Sequence, residues 1–197
     1  YLIRKLEEFS KWIQTNVERS SPLDPNFQQQ LFHAEKSTEF EENFPYRQIV
    51  GSLMFASTAT RPDLTTALGI VSRFNDQPNR IHCDMVRHIL YYMRKHPTLG
   101  LHYNAQQDIT LTGYIDSSWA NDEDYKSISG QCFLLGKSLI SWSSKKQPVV
   151  ALSSTEAEYV AATGGCQEAL WTRALLLELG IHQDCVELKE DNEGCIN

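Results

Sequence analysis

Apolar side chains recur at three- and four-residue intervals over Leu2 to Val17 (Leu2, Leu6, Phe9, Trp12, Ile13), a spacing that predicts a helix. Ser20 to Asn43 is polar, holds Ser-Ser-Pro-Leu-Asp-Pro and keeps no sustained period, so it reads as a linker. A helical period returns from Tyr46 to Thr58. It resumes after Arg61-Pro62-Asp63, where proline suits a first helical position, and runs to about Phe74. Asn75-Asp76-Gln77-Pro78-Asn79 interrupts it, and a third helix follows over about Ile81 to Lys95. Beyond His96-Pro97 the period changes. Ile109 to Asp116, Ser129 to Leu135 and Ser138 to Ser144 read as strands, with Gly136-Lys137 as a tight hairpin between the last two. A long helix is expected from Ser154 to about Leu179, stopped by Gly180, and then a short strand over about Cys185 to Lys189. Strands in a hairpin-linked run, then helix, then strand, indicate an α+β or mixed α/β fold.

The chain has 197 residues, enough for one large or two small domains, and 41% of them are hydrophobic, as in ordinary soluble proteins. No run approaches the roughly 18 apolar residues of a membrane span, and Tyr1 to Ser10 lacks the features of a signal peptide. A soluble, intracellular protein is therefore expected. Five cysteines without a C-x-x-C pair argue for free thiols, and against a disulfide framework or zinc site. Beginning at Tyr1 and stopping at Asn197, just after a turn-like DNEG, the chain reads as a piece of a longer one.

The net charge of −7 argues against a generic nucleic-acid binder, but it is unevenly spread. Residues 1–45 carry 5 basic and 8 acidic side chains, 46–107 carry 7 and 3, and 108–197 carry 6 and 14. A basic middle beside an acidic end fits a phosphate-gripping part joined to a cation-binding part; scattered surface charge fits the counts as well. Arg87, Arg94 and Lys95, on the third helix, lie either along a nucleic-acid backbone or on a solvated polar face.

Ala151 to Ala162, ALSSTEAEYVAA, puts two glutamates at the start of the long helix. Ser153 to Glu156 fits the S-x-x-E capping box, with Ser153 as the cap and Glu156 reaching back to the cap's own backbone N–H. Glu158 lies about 200° further round, on a face shared with Ala161, Ala162 and Gly165. Small residues let that face approach a sheet, so the Glu158 carboxylate points at the strands, although any first-turn glutamate is also favoured by the helix dipole. Asp116 sits at the end of the first strand, in GYIDSSW, and Asp191 at the end of the last, in LKEDNEG. Carboxylates converging from strand ends and a helix are how proteins hold hard divalent cations; each aspartate alone is equally a turn residue.

The strings YRQIVGSLMFASTATRPDL, LTGYIDSSWAND, ISWSSKKQPVVALSSTEAEYVAAT, EALW and DNEGCI resemble the polymerase-to-ribonuclease H region of copia-type long-terminal-repeat retrotransposon Pol polyproteins. The likeness runs from about Tyr46 to Asn197 and more weakly from Tyr1. It implies three segments: 1–45 as the end of the polymerase region and a linker, 46–104 as a helical thumb or connection, and 105–197 as an RNase H-like domain. That α/β domain would have a mixed sheet of three antiparallel strands, then a helix and a fourth strand, lacking the family's fifth strand and closing helix. The reverse transcriptase's aspartate pair is absent, so no DNA synthesis is expected.

By the same resemblance Asp116, Glu158 and Asp191 are both the catalytic residues and the metal ligands, holding two Mg²⁺ or Mn²⁺ ions about 4 Å apart. The implied reaction cleaves the RNA strand of an RNA–DNA hybrid during reverse transcription, with Glu158 helping to sense the 2′-hydroxyl. Lys145, Lys146, Arg87, Arg94 and Lys95 are the candidate phosphate contacts. The implied partners are the hybrid and the rest of the polyprotein, its reverse transcriptase and integrase, with no membrane. The implied location is a cytoplasmic virus-like particle or the nucleus. Where the family usually shows D-S-D-W and C-D-N, this chain has Asp116-Ser117-Ser118-Trp119 and Glu190-Asp191-Asn192. The alternative is a catalytically inactive remnant that keeps part of the fold or a nucleic-acid-binding surface. Ser154 and His102 give little support to a hydrolase triad, because nothing places a base beside a G-x-S-x-G nucleophile.

Overall fold

A computed structural model describes residues 1–34, 43–104, 109–120 and 124–196. Residues 35–42 of the predicted linker, 105–108 at the start of the predicted RNase H-like segment, 121–123 and 197 lie outside the described residues. The chain divides into two compact units, Tyr1–Gly100 and Leu101–Asn197.

The first unit is helical. Helix α1 (Leu2–Glu8) is followed by a 3₁₀ turn at Ser10–Trp12, and Ile13 is already extended, so the helix expected to reach Val17 stops nine residues earlier. Helix α2 (Phe27–Ala34) stands inside the stretch that reads as linker. Its start is fixed by Asp24, whose side chain accepts from the Asn26 N–H at 2.8 Å and whose carbonyl accepts from that of Phe27 at 3.0 Å. Helix α3 (Tyr46–Ala59) buries Tyr46, Ile49, Val50, Leu53, Ala56 and Ser57, one stripe of a 3.6-residue period. Helix α4 (Thr65–Val71) lies between 3₁₀ turns at Pro62–Leu64 and Ser72–Phe74.

Helix α5 (Arg80–Lys95) is capped by Asn79, whose side chain accepts from the His82 N–H while His82 Nδ1 accepts from the Asn79 N–H, both at 3.1 Å. The histidine thus takes the part a glutamate plays in the usual capping box. Val86, Ile89, Leu90 and Met93 of α5 form one core with Ile49, Leu53, Leu64 and Leu68, and Phe9, Leu31 and Phe44 belong to the same core. Arg61, fully buried, is held by Asp63 at 2.7 Å and donates to the His96 carbonyl at 3.0 Å, while the Tyr92 hydroxyl donates to Asp63 at 2.9 Å. Burial alone would raise the Asp63 carboxyl. Its bonds to Arg61 and Tyr92 outweigh that and hold it below the usual range.

The second unit begins with β1 (Leu111–Ser118), β2 (Ile128–Leu135) and β3 (Ser138–Lys146), paired antiparallel in sequence. The two residues Gly136 and Lys137 make the hairpin turn between β2 and β3. Helix α6 (Ser154–Glu178) carries the chain back along the sheet to β4 (Glu187–Lys189), which pairs parallel to β1. The strand order is β3-β2-β1-β4, a mixed four-stranded sheet, so the unit is α/β. Gly180 (φ 78°) stops α6 in the left-handed region that favours glycine. The last two residues of the turn-like DNEG open the short helix α7 (Glu193–Ile196).

One stripe of α6, Ala157, Glu158, Ala161, Gly165, Ala169, Thr172 and Leu176, is buried at i, i+4 and i+3 intervals. Small side chains there let the helix lie close to β1. A Cβ at position 165 would come within 2.7 Å of Ile115 Cγ1, so only glycine fits that approach. Leu111 and Phe133 are the sheet's largest fully buried residues, and Ala169 and Leu176 close over them from α6.

Candidate metal centre

Asp116, Glu158 and Asp191 come from three elements, and each offers a carboxylate oxygen lying within 4.8 Å of the others. The sheet register explains two of them. Tyr114 pairs with Lys189 across the parallel strands, so Asp116 and Asp191, each two residues further on, reach the same height past the end of β4. Asp116 is not the last residue of its strand, because β1 continues to Ser118, and Asp191 follows β4 by two residues. Both are exposed.

Glu158 arrives from the first turns of α6, whose start is set by Ser153. The Ser153 hydroxyl accepts from the Glu156 N–H at 3.1 Å. Glu156 reaches back as the S-x-x-E pattern predicts, but its carboxylate accepts from the Leu152 N–H at 2.7 Å, one residue before the cap. Gln147 fastens the same end of the helix, donating to the Ala157 carbonyl and to Ser129 Oγ, both at 2.9 Å. With its neighbours so fixed, Glu158 is 5% exposed and its Oε2 has no hydrogen-bond partner.

Burial pushes the Glu158 carboxyl above the usual range, and the negative charges of Glu190 and Asp116 push the same way. The Ser117 hydroxyl and main chain lie beside it and oppose the shift. Burial and the charges of Glu190 and Glu158 likewise raise the Cys195 thiol.

The donor set fits a hard divalent cation. Three carboxylates supply only oxygen, and two of them are open to water, which Mg²⁺ prefers to keep in its shell. Octahedral Mg²⁺ with bonds of about 2.1 Å sets opposite ligands about 4.2 Å apart and adjacent ones about 3.0 Å apart, so oxygens within 4.8 Å of one another would draw together by up to about 2 Å on binding one ion. The orphaned Oε2 of Glu158 is the kind of buried acceptor that a cation would satisfy.

The basic residues named from the sequence meet other partners. Arg87 donates to the Trp12 carbonyl at 3.1 Å, pairs with Asp84 at 2.7 Å and covers the Phe44 ring at 4.5 Å. Arg94 donates to the Gln14 carbonyl at 2.7 Å and to that of Val17, and Lys95 lies 3.8 Å from Glu18. These side chains hold the segment after α1 against α5. Lys146 pairs with Asp124 at 2.8 Å, whereas Lys145, next along β3, is exposed. Glu190, which the sequence reading passes over, accepts through Oε1 from the N–H groups of Asp191 and Asn192 at 3.2 and 3.3 Å. In a strand, neighbours point to opposite faces, so a residue beside Asp191 is not expected to join it; β4 ends at Lys189 and that alternation ends with it.

Fold and site together define an α/β unit with a converging carboxylate triad. The chain belongs to the copia-type retrotransposon Pol polyproteins. It is 38% identical over 205 aligned residues to the retrovirus-related Pol polyprotein from transposon TNT 1-94 of Nicotiana tabacum, a match taking in 100% of this chain and 15% of that protein. It is 39% identical over 163 residues to the retrovirus-related Pol polyprotein from transposon RE1 of Arabidopsis thaliana, covering 82% of this chain and 11% of that one. It is also similar to a Plasmopara viticola protein named secreted RxLR effector protein 161, with 42% identity over 131 residues, 66% of this chain and 92% of that protein. The chain thus spans a small part of the polyproteins it matches. No family model and no solved structure matches it. Among the described residues, no helix is long and apolar enough to cross a membrane.

Proposed function

We propose that residues 101–197 form an RNase H-like nuclease unit that hydrolyses the RNA strand of RNA–DNA hybrids during reverse transcription of a retrotransposon. The observation that carries this reading is the convergence of Asp116, Glu158 and Asp191 to within 4.8 Å from a central strand, a helix start and the segment after a parallel strand. The mixed sheet, with its antiparallel β1–β3 and parallel β4, is compatible with it.

Two Mg²⁺ or Mn²⁺ ions held by these carboxylates would supply an activated water and neutralise the charge on the leaving 3′ oxygen. The protein's own part is to fix the three acids before substrate arrives. Asp116 is held by the pairing of β1 with β2, where it stands opposite Gly130, and Glu158 by the Ser153 cap and Gln147. The burial of Glu158 keeps bulk water from its orphaned oxygen and strengthens every interaction made there. Exposed Lys145 is a candidate contact for the hybrid's phosphates. Membership of a Pol polyprotein makes reverse transcriptase and integrase segments the natural partners, with a virus-like particle or the nucleus as the place of action.

The test is cleavage of a labelled RNA–DNA hybrid by the purified chain in Mg²⁺ and in Mn²⁺, beside Asp116→Asn. Cleavage confined to the RNA strand and lost in the variant supports the reading. A folded chain that cuts neither strand overturns it and leaves an inactive remnant.

A further inference from the structure

Beside the carboxylates, the end of the sheet carries an aromatic ring that the core does not use. Trp119, three residues beyond Asp116, is 48% exposed, yet its place is fixed, because its indole N–H donates to the Ala151 carbonyl at 3.0 Å. That bond ties the end of β1, which carries Asp116, to the segment just before Ser153, the cap of the helix that carries Glu158. The chain turns directly afterwards at Ala120, whose φ of 48° lies in the left-handed region that a non-glycine residue seldom takes. The Ala120 N–H is held at 3.1 Å by Oγ of Ser127, itself fully buried. Val150 and Leu152, on either side of the anchoring carbonyl, are 47% and 85% exposed. Burial of such apolar surface is favourable, so a ring kept half in water by a hydrogen bond and a strained backbone marks a contact surface.

What lies along the same end of the sheet identifies the partner. Ser117 pairs with Ser129 on β2, and Ser129 with Lys145 on β3, so exposed Lys145 stands two strands from β1, about 10 Å away at the usual strand spacing. The carboxylates lie toward the other side, where β1 meets β4. The order across the sheet is therefore cation site, apolar ring, lysine. A nucleic-acid strand offers matching groups in that order: a phosphate, a sugar face, and another phosphate further on, since its charges recur about every 3.4 Å of helix axis. We infer that Trp119, with Leu152 beside it, is a substrate-contact surface on which the sugars of the RNA–DNA hybrid pack next to the phosphate at the cation site. An A-form helix displays its sugars in a wide, shallow minor groove, within reach of such a ring. The contact touches no base edge and is independent of sequence. It rests on the nuclease reading of the carboxylate site.

The experiment compares the full chain as wild type, Trp119→Ala, Trp119→Phe and Leu152→Ser, with circular dichroism as the check on folding. Three quantities are measured: affinity for a labelled hybrid in Ca²⁺ by fluorescence anisotropy, KM and kcat for cleavage in Mg²⁺, and Mn²⁺ affinity by electron paramagnetic resonance. Phenylalanine keeps a ring and removes the indole N–H, whereas alanine removes both. Leu152→Ser changes only an exposed side chain and carries the test should Trp119→Ala not fold. Trp119→Ala should weaken hybrid binding and raise KM by roughly tenfold, near the low end for aromatic contacts to nucleic acid, with a smaller loss in Leu152→Ser. Trp119→Phe should keep most of the hybrid affinity, and kcat and Mn²⁺ affinity should stay within about twofold throughout, as for a contact made equally before and during reaction. Unchanged hybrid affinity in folded Trp119→Ala, or in Leu152→Ser if alanine does not fold, overturns the contact. Equal losses of Mn²⁺ affinity in both Trp119 variants also overturn it, and leave Trp119 as a tie between the segments of Asp116 and Glu158. A wild type that binds the hybrid, loses binding in Trp119→Ala and never cleaves keeps the surface and sinks the nuclease reading. A wild type that does not bind the hybrid overturns the surface, and its Mn²⁺ binding then tests the cation site alone.

Discussion

Replacing Glu158 with glutamine preserves the shape of the side chain and removes one of three charges whose oxygens lie within 4.8 Å of one another. Coulomb's law gives the repulsion of one such pair as about 0.9 kcal/mol in water and about 3.5 kcal/mol at an effective dielectric of 20. Glu158 is buried and its partners are exposed, so the pairs fall between those limits. Without divalent cation, Glu158→Gln should therefore stabilise the second unit by about 1–3 kcal/mol, against the usual direction of a substitution in a well-packed site. For a unit of roughly 100 residues, each kcal/mol moves the melting temperature by about 4–8 °C. Saturating Mg²⁺ should reverse the order, because a ligand at 100 times its Kd adds about 2.7 kcal/mol to the form that binds it. The assay is thermal unfolding of both proteins in EDTA and in excess MgCl₂, followed by circular dichroism. A variant that melts below wild type in EDTA would mean that Glu158 is a structural acceptor with a net stabilising part. A wild type indifferent to Mg²⁺ would refute the cation site.

Three further outcomes follow from particular contacts. Burial holds the His82 imidazole down to about 4, from an ordinary 6.5, so the unfolded chain takes up a proton first. The neutral ring's contribution is complete above pH 6.5 and is lost as the pH falls toward 4, about 3 kcal/mol in all; urea denaturation at pH 7 and pH 4.5 should record this loss, and His82→Gln should flatten it. Gly165→Ala gains about 1 kcal/mol of helix propensity but forces a methyl against Ile115, an overpacking of about 1–3 kcal/mol. A net loss in denaturant titrations is expected, with weaker Mn²⁺ binding because Ile115 adjoins Asp116; unchanged binding would separate the helix–strand contact from the site. Ser153→Ala should cost about 1 kcal/mol and leave Mn²⁺ stoichiometry unchanged, as read by the same titrations.

Local pattern determined most of the elements, because each of them buries one face and so writes its period into the sequence. The spacing of Ile49, Val50 and Leu53 announces α3, and Ser129 to Leu135 announces β2. The S-x-x-E cap identified the start of α6 and thereby separated Glu156, which turns back on the chain, from Glu158, which turns inward. Where burial comes from distant partners, the pattern was silent. Helix α2 has only eight residues among polar neighbours, and Leu31 is buried by a core assembled from other helices. Arg87 and Arg94 look like a phosphate-gripping face until the segment after α1 folds back and offers its carbonyls.

The site divides in the same way. The sequence by itself supplied three acids of the right kind, placed near element ends, and their resemblance to a family pattern. Only the tertiary structure decided that they meet, because the meeting depends on the register of β4 against β1, a pairing across about 75 residues that no local period encodes.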